Sequence, residues 1–243
     1  MLLHSSALTY PSFMRWIFGF LLVAAVASAQ VPDKFTNLQV FPKDISSKDL
    51  MWTMRGFCFS LGVRCEYCHA GKMNFASDEI KNKSTARNML RMVAAINRDY
   101  IPKESNVRVD CVTCHHGMSR PRTLQAVLIE EMEKGDASSA IGLYRKLRKE
   151  SYGSGQYDFS ETSLNLLSET LVHDGKPKQA AAFMELNLEV NSPLSNWAYS
   201  DLAMAHLANG ELRKAEADFS KILEADPQNS WAKEELEKLR QHQ

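Results

Sequence analysis

Two short motifs restrict this chain more than anything else in it: Cys65-Glu66-Tyr67-Cys68-His69 and Cys111-Val112-Thr113-Cys114-His115. Three chemistries use paired thiols at this spacing. A zinc ribbon would place its second pair about 15–20 residues after the first, but Cys68 and Cys111 lie much further apart, and zinc has no need of a histidine after each second cysteine. A thioredoxin-like centre would carry one such pair beside a strand–helix–strand pattern, and no such pattern is present. Covalent attachment of haem c uses every residue of the motif: two thiols add across the two vinyl groups, and the adjoining histidine faces the iron. The motifs therefore predict two covalently bound haem c groups, with Cys65, Cys68, Cys111 and Cys114 as thioether anchors. His69 and His115 are the expected proximal iron ligands.

The N-terminus agrees with that chemistry. Arg15-Trp16 leads into the apolar run Ile17 to Ala27, which closes on Ala27-Ser28-Ala29 before Gln30. This reads as a secretory signal over residues 1–29 with a small-residue cleavage site, since a membrane span needs about 20 apolar residues. Export predicts a periplasmic protein in a compartment where free thiols oxidise. Cys58, the fifth cysteine, falls on the apolar face of a predicted helix and is expected to be a buried, inert thiol. Basic and acidic residues number 29 each, and the signal removes only Arg15. The mature chain is thus nearly neutral and lacks the positive excess of a nucleic-acid binder.

Hydrophobic spacing predicts an all-α chain. Ser46-Ser47-Lys48-Asp49 resembles a capping box, and Leu50, Met54, Phe57, Cys58 and Leu61 follow on one helical face until Gly62 stops the helix before the first motif. A second helix, with Ser84 or Thr85 as its expected cap, carries Met89, Met92, Val93, Ile96 and Tyr100 on one face and ends before Pro102. A polar loop then leads to Cys111. Each attachment motif thus follows a helix that can lower a thioether onto the haem face opposite the histidine. His/Met ligation raises the reduction potential and closes the iron to small molecules. Met54 is the expected distal ligand of the first haem and Met89 of the second, with Met92 as its rival. Met51 and Met73 are expected to pack. His116 adjoins His115 on the same turn and is poorly placed to reach the opposite face. His173, His206 and His242 are expected to be structural or solvated.

The residues Asn37-Leu38-Gln39-Val40, Leu50-Met51-Trp52-Thr53-Met54, the first motif, Ala86-Arg87-Asn88-Met89-Leu90-Arg91-Met92, Ile96-Asn97 and Cys111 to Gly117 together resemble the cytochrome c subunit of photosynthetic reaction centres over residues 36–122. The resemblance implies that a methionine on the helix before each motif is the distal ligand, which matches Met54 and favours Met89 over Met92. It also implies electron delivery toward the oxidised pigment pair of a reaction centre. The family is built from four haem units, of which this chain holds two.

After Ser119-Arg120-Pro121-Arg122 the pattern becomes regular and helical. Gly175, Ala180 and Phe183 recur as Gly210, Ala215 and Phe219, and Pro193 recurs as Pro227, close to the 34-residue tetratricopeptide period. Gly135 to Tyr144 reads as part of an earlier, degenerate unit, and Trp231 to Leu239 as a terminal cap. The expected domains are a dihaem cytochrome c module over 30–122 and a tetratricopeptide-like array of helical hairpins over 123–243. Such an array offers a surface for a peptide or protein partner.

Three functions compete. The first is an electron carrier that catalyses no bond rearrangement, with a donor and an acceptor redox protein in a reaction-centre or respiratory complex. A dihaem peroxidase would instead need one iron with an exchangeable site, and a scaffold protein would make the repeats primary. The motifs favour the electron carrier.

Overall fold

The computed structural model describes residues 34–71 and 74–241; the expected signal segment and Met73 lie outside them. Every regular element among the described residues is helical. In chain order these are α1 (Ser47–Leu61), a single 3-10 turn (Cys65–Tyr67), α2 (Lys81–Asp99), α3 (Cys111–His115), α4 (Leu124–Lys134), α5 (Ala137–Ser151), α6 (Glu161–His173), α7 (Pro177–Asn191), α8 (Asn196–Ala208), α9 (Leu212–Ala225) and α10 (Ser230–Gln241).

The start and stop of α1 follow local rules. The Ser46 hydroxyl oxygen accepts from the Asp49 N–H at 3.1 Å, which satisfies one of the free amides of the first turn. The expected box is only half formed, because the Asp49 carboxylate accepts from the Ser46 hydroxyl at 2.7 Å instead of from its backbone. Gly62 ends the helix at φ 63°, and its N–H reaches the Cys58 and Phe59 carbonyls. The start of α2 corrects the sequence reading. Helical structure begins at Lys81 after Ile80, with no side-chain cap. Ser84 and Thr85 lie inside the helix, and their hydroxyls donate back to the Lys81 carbonyl at 2.8 and 3.3 Å. Serine and threonine can bond a preceding carbonyl as readily as cap, and the Ile80–Lys81 boundary carries no sequence signal to decide between them.

From Leu124 onward the helices form antiparallel hairpins, α4/α5, α6/α7 and α8/α9, followed by α10. The glycines picked out by the repeat do the same job twice. Gly175 (φ 71°) and Gly210 (φ 77°) take the left-handed conformation that favours glycine. The Lys176 N–H then returns to the Leu171 carbonyl, and the Glu211 N–H to the His206 carbonyl, each at 2.8 Å. The small residues Ala180 and Ala215 and the aromatics Phe183 and Phe219 are fully buried. Leu124, Leu128, Tyr144, Leu164, Leu167 and Phe183 share one core; Ala215, Phe219, Ile222 and Leu236 share another. The α10 helix closes the second, with Trp231 edge-on to Phe219 at 5.3 Å.

The segment before Leu124 is built differently. Its only buried apolar side chains among the described residues are Leu38 and Leu50, whereas Trp52, Phe59, Met89, Met92, Tyr100 and Val107 are exposed. Hydrogen bonds and ion pairs between distant residues are prominent in this part of the chain. No described helix is long and apolar enough to cross a membrane.

Candidate haem-binding site

The first motif sits on the 3-10 turn that follows Gly62. The Cys68 and His69 amides both return to the Cys65 carbonyl, at 3.2 and 3.0 Å, which folds the two cysteines and the histidine onto one tight turn. The N-terminal end of α2 docks on it, with Asn82 Nδ2 donating to the Tyr67 carbonyl at 3.0 Å. His69 packs edge-on to Phe75 at 5.3 Å. Burial, assisted by the Lys83 charge, pushes its imidazole below the usual value. It is therefore held in the neutral form that binds metals. His69 Nδ1 is buried with no hydrogen-bond partner among the described residues.

Lys83 is buried, an uncommon place for a lysine. Its ammonium donates to the carbonyls of Phe75, Ala76 and Ser77 at 2.8, 3.1 and 2.6 Å and pairs with Asp78 at 3.0 Å. Asp78 also takes Arg87 at 2.9 Å and Asn37 Nδ2 at 2.8 Å. The Arg87 guanidinium, with Asn37 and Lys83, holds the Asp78 carboxyl well below the usual carboxylate range. This network ties the loop after the first motif to α2 and to the irregular segment around Asn37.

The second motif is a short helix of its own. The Asp110 side chain accepts from the Thr113 N–H while the Thr113 hydroxyl oxygen accepts from the Asp110 N–H, both at 3.1 Å, a complete capping box inside the attachment sequence. The preceding segment is clamped to α2 by Asn97, which donates to the Val109 carbonyl at 2.6 Å and accepts from its N–H at 2.9 Å. His115 Nδ1 lies 2.7 Å from the Met118 carbonyl. A proton on Nδ1 fixes the tautomer and leaves Nε2 free as a ligand, the usual second partner of a metal-binding histidine. His116 is the C-cap, at φ 48° in the left-handed region; it turns the chain.

The two motifs interlock. The Gly117 N–H donates to the Ser60 carbonyl at 2.9 Å, and a β-carbon on Gly62 would stand 2.0 Å from the Gly117 carbonyl oxygen. The end of α1, which leads into the first motif, thus rests on the turn that closes the second. A single helix, α2, contacts the first motif at Asn82 and braces the approach to the second at Asn97. Sequence periodicity pictures two successive units; the structure makes them share walls.

Met54 lies on α1, half buried on the face that carries Leu50, Phe57 and Leu61. Met89 and Met92 lie on α2, 38% and 45% exposed, so the less exposed of the two is Met89. Cys68 and Cys111 are half buried, and burial pushes both thiols up, with Asp110 adding to the effect at Cys111. Cys65 and Cys114 are exposed. No group of three or more histidine, cysteine or acidic side chains among the described residues could hold a bare metal ion. The residues fit haem c on two counts. The thiols are unpaired, and the chain around them presents methionines and aromatics without enough buried apolar side chains to cover them, as a segment does when a large planar apolar group supplies its core.

Comparison with known proteins gives the same direction. A family model described as the photosynthetic reaction centre cytochrome c subunit matches residues 22–185. Cytochrome c-554 of Chloroflexus aurantiacus is 48% identical over 83 residues, 33% of this chain and 20% of that protein. The photosynthetic reaction center cytochrome c subunit of Thermochromatium tepidum is 34% identical over 90 residues, 36% of this chain and 22% of that protein. The chain thus spans about a fifth of the length of these curated relatives. Among solved structures, it is similar to the first TPR domain of human RPAP3, at 23% identity over 49% of this chain and 87% of that one, with a TM-score of 0.34. With both attachment motifs inside the matched range of the family model, the chain belongs to the photosynthetic reaction centre cytochrome c subunit family.

Proposed function

We propose that this protein is a periplasmic dihaem c-type cytochrome that carries electrons between redox proteins. The observation that carries the reading is the pairing of two complete Cys-x-x-Cys-His motifs with a surrounding segment whose only buried apolar side chains among the described residues are Leu38 and Leu50. Membership of a cytochrome c family supports covalently held haem c as the cofactor. Haem iron supplies reversible one-electron transfer, tuned by its axial ligands and by burial.

The residues of this chain have separable roles in that reading. Cys65 and Cys68 anchor the first group, and Cys111 and Cys114 the second. His69 and His115 would be the histidine ligands: burial and Lys83 keep the first neutral, and the Met118 carbonyl orients the second. Met54 and Met89 would supply the thioether ligands, which would leave neither iron an exchangeable position and make the protein an electron carrier and not an enzyme. Residues 30–122 form the haem module. Residues 123–243 form the repeat array, which docks a peptide or protein partner and holds the module at a redox complex. By kinship that complex is a photosynthetic reaction centre; a respiratory complex would make the same demands on the haems.

One experiment tests the core of this reading. Protein exported by a host that attaches haem c is digested, and the peptides containing Cys65/Cys68 and Cys111/Cys114 are weighed. Haem adducts are expected on both, and the reduced protein is expected not to bind carbon monoxide. An adduct on only one peptide ends the dihaem reading, and carbon monoxide binding at either iron ends the closed-shell assignment.

A further inference from the structure

The histidines of the two motifs are oriented by different means. His115 Nδ1 has a backbone acceptor of its own, the Met118 carbonyl at 2.7 Å. At the first motif the neighbouring carbonyls are already taken. Phe75 packs edge-on to the His69 ring at 5.3 Å, and its carbonyl accepts from the Lys83 ammonium at 2.8 Å. The same ammonium draws in the Ala76 and Ser77 carbonyls at 3.1 and 2.6 Å. Three successive carbonyls of the loop that packs on His69 are thus turned to a cation, and His69 Nδ1 is buried with no partner among the described residues. Lys83 is the only buried lysine or arginine among those residues. Its charge is not cancelled where it lies, because Lys83 and Arg87 share the single carboxylate of Asp78, at 3.0 and 2.9 Å. Both cationic side chains are 11% exposed against 43% for Asp78, so the excess positive charge sits on the buried side. The second motif is flanked by Arg108 and Asp110, which are both exposed.

We propose that Lys83 is a positioning residue for His69 that holds the reduction potential of the first haem above that of the second, so that an electron shared between the two rests on the first. The inference rests on the reading of His69 and His115 as iron ligands. The same histidine–methionine set is expected at both irons, so ligand identity creates no difference and the surroundings set it. Two effects of Lys83 act in one direction. Oxidation adds one positive charge at the iron, and a buried cation opposes that addition where solvent and salt screen it weakly. A hydrogen bond from Nδ1 to a carbonyl makes an imidazole a stronger donor to its metal, which favours the oxidised iron. His115 has that bond, whereas the loop carbonyls beside His69 are bound to Lys83. The bias acts on a one-electron exchange in which one iron is oxidised as the other is reduced, and no bond forms or breaks.

The test uses the full-length protein loaded in a haem-attaching host, with peptide masses to check both motifs and an optical redox titration to read the one-electron waves. The unsubstituted protein is expected to give two separate waves. Lys83→Met is expected to move the upper wave down and leave the lower one in place, and Lys83→Arg, which keeps the charge, to leave both where they were. Asp78→Asn removes the carboxylate but not the three carbonyls that hold Lys83, and is expected to move the upper wave further up. A merely structural loosening would shift Lys83→Met and Asp78→Asn the same way, so opposite shifts are the signature. Asp78→Asn carries the test by itself where Lys83→Met does not retain its haem. A single unsplit wave in the unsubstituted protein, a Lys83→Met shift in the lower wave or in neither, or a downward shift in Asp78→Asn overturns the role of Lys83. Absence of haem mass from either motif of the unsubstituted protein overturns instead the dihaem reading on which that role rests.

Discussion

At the scale of single residues, the proposed electron-carrier function turns on the methionines. Met54→Ala and Met89→Ala are each expected to convert one haem to a five-coordinate or water-ligated form with a lower reduction potential, because a thioether ligand stabilises the reduced iron. Visible spectra and redox titration of the loaded protein measure both effects, and a change in Met92→Ala instead of Met89→Ala would move the ligand by one turn of α2. Gly62 is a second critical position. Its φ of 63° disfavours a side chain, and an added methyl would stand 2.0 Å from the Gly117 carbonyl oxygen. Gly62→Ala is expected to cost about 2 kcal/mol or more, read as a lower Tm. Gly56→Ala, where nothing lies within 4 Å of the new methyl on α1, is expected to gain about 0.5–1 kcal/mol from helix propensity. Asp201, on α8, is a different case. Burial, with Glu169 and Glu161 nearby, raises its carboxyl from 3.8 to about 7, and its Oδ2 is buried without a partner. The native state therefore holds a proton there that the unfolded chain releases above about pH 4, so this group's contribution to stability falls as pH rises from about 4 to 7. Asp201→Asn is expected to flatten that part of the Tm–pH curve and to add about 1 kcal/mol at pH 7.5 after allowance for solvent screening.

Elements are held in two different ways. The helices α4 to α10 behave as the hydrophobic pattern predicts, each burying one stripe against its neighbours. His206, expected to be structural or solvated, is 3% exposed and joins α8 to α9 through Asp218 at 2.6 Å. Burial alone would lower its imidazole, but the Asp218 carboxylate, with Glu185, raises it above the usual value. By contrast, α1, α2 and α3 are fixed to one another through a few polar contacts, and Asn97 is the most concentrated of these. Asn97→Ala removes both bonds to Val109 and is expected to destabilise the loaded protein by about 1–3 kcal/mol, seen in thermal melts. Asn37, Arg87 and Asn97 stand in the stretches that resemble the reaction-centre subunit, yet periodicity assigns them no role. A polar residue that bonds a distant backbone leaves no periodic trace, so Asn97 at Val109 and Arg87 at Asp78 become visible only when the chain is folded.

For the molecule as a whole, the contrast between the two kinds of packing sets how it responds to its cofactor. A segment whose only buried apolar side chains among the described residues are Leu38 and Leu50 gains little from apolar burial by itself, while the hairpins contain contiguous cores. In hydrogen exchange on the full chain, amides of α6 to α9 are expected to be protected with or without haem. Amides of α2 and of the Cys111–His115 helix are expected to gain protection only when haem is attached. Equal protection of α2 in both forms would show that the polar network suffices to order it. The sequence by itself determined the cofactor chemistry, the all-helical class, the two left-handed glycine turns of the repeats and the helix stop at Gly62, because each depends on residue type at short, fixed spacing. Only the tertiary structure decided that the two attachment motifs interlock through Gly62 and Gly117, and that α2 starts at Lys81 and braces both motifs. Those facts depend on which distant backbones meet, and the Cys-x-x-Cys-His spacing is the same whether its neighbours lie close or far.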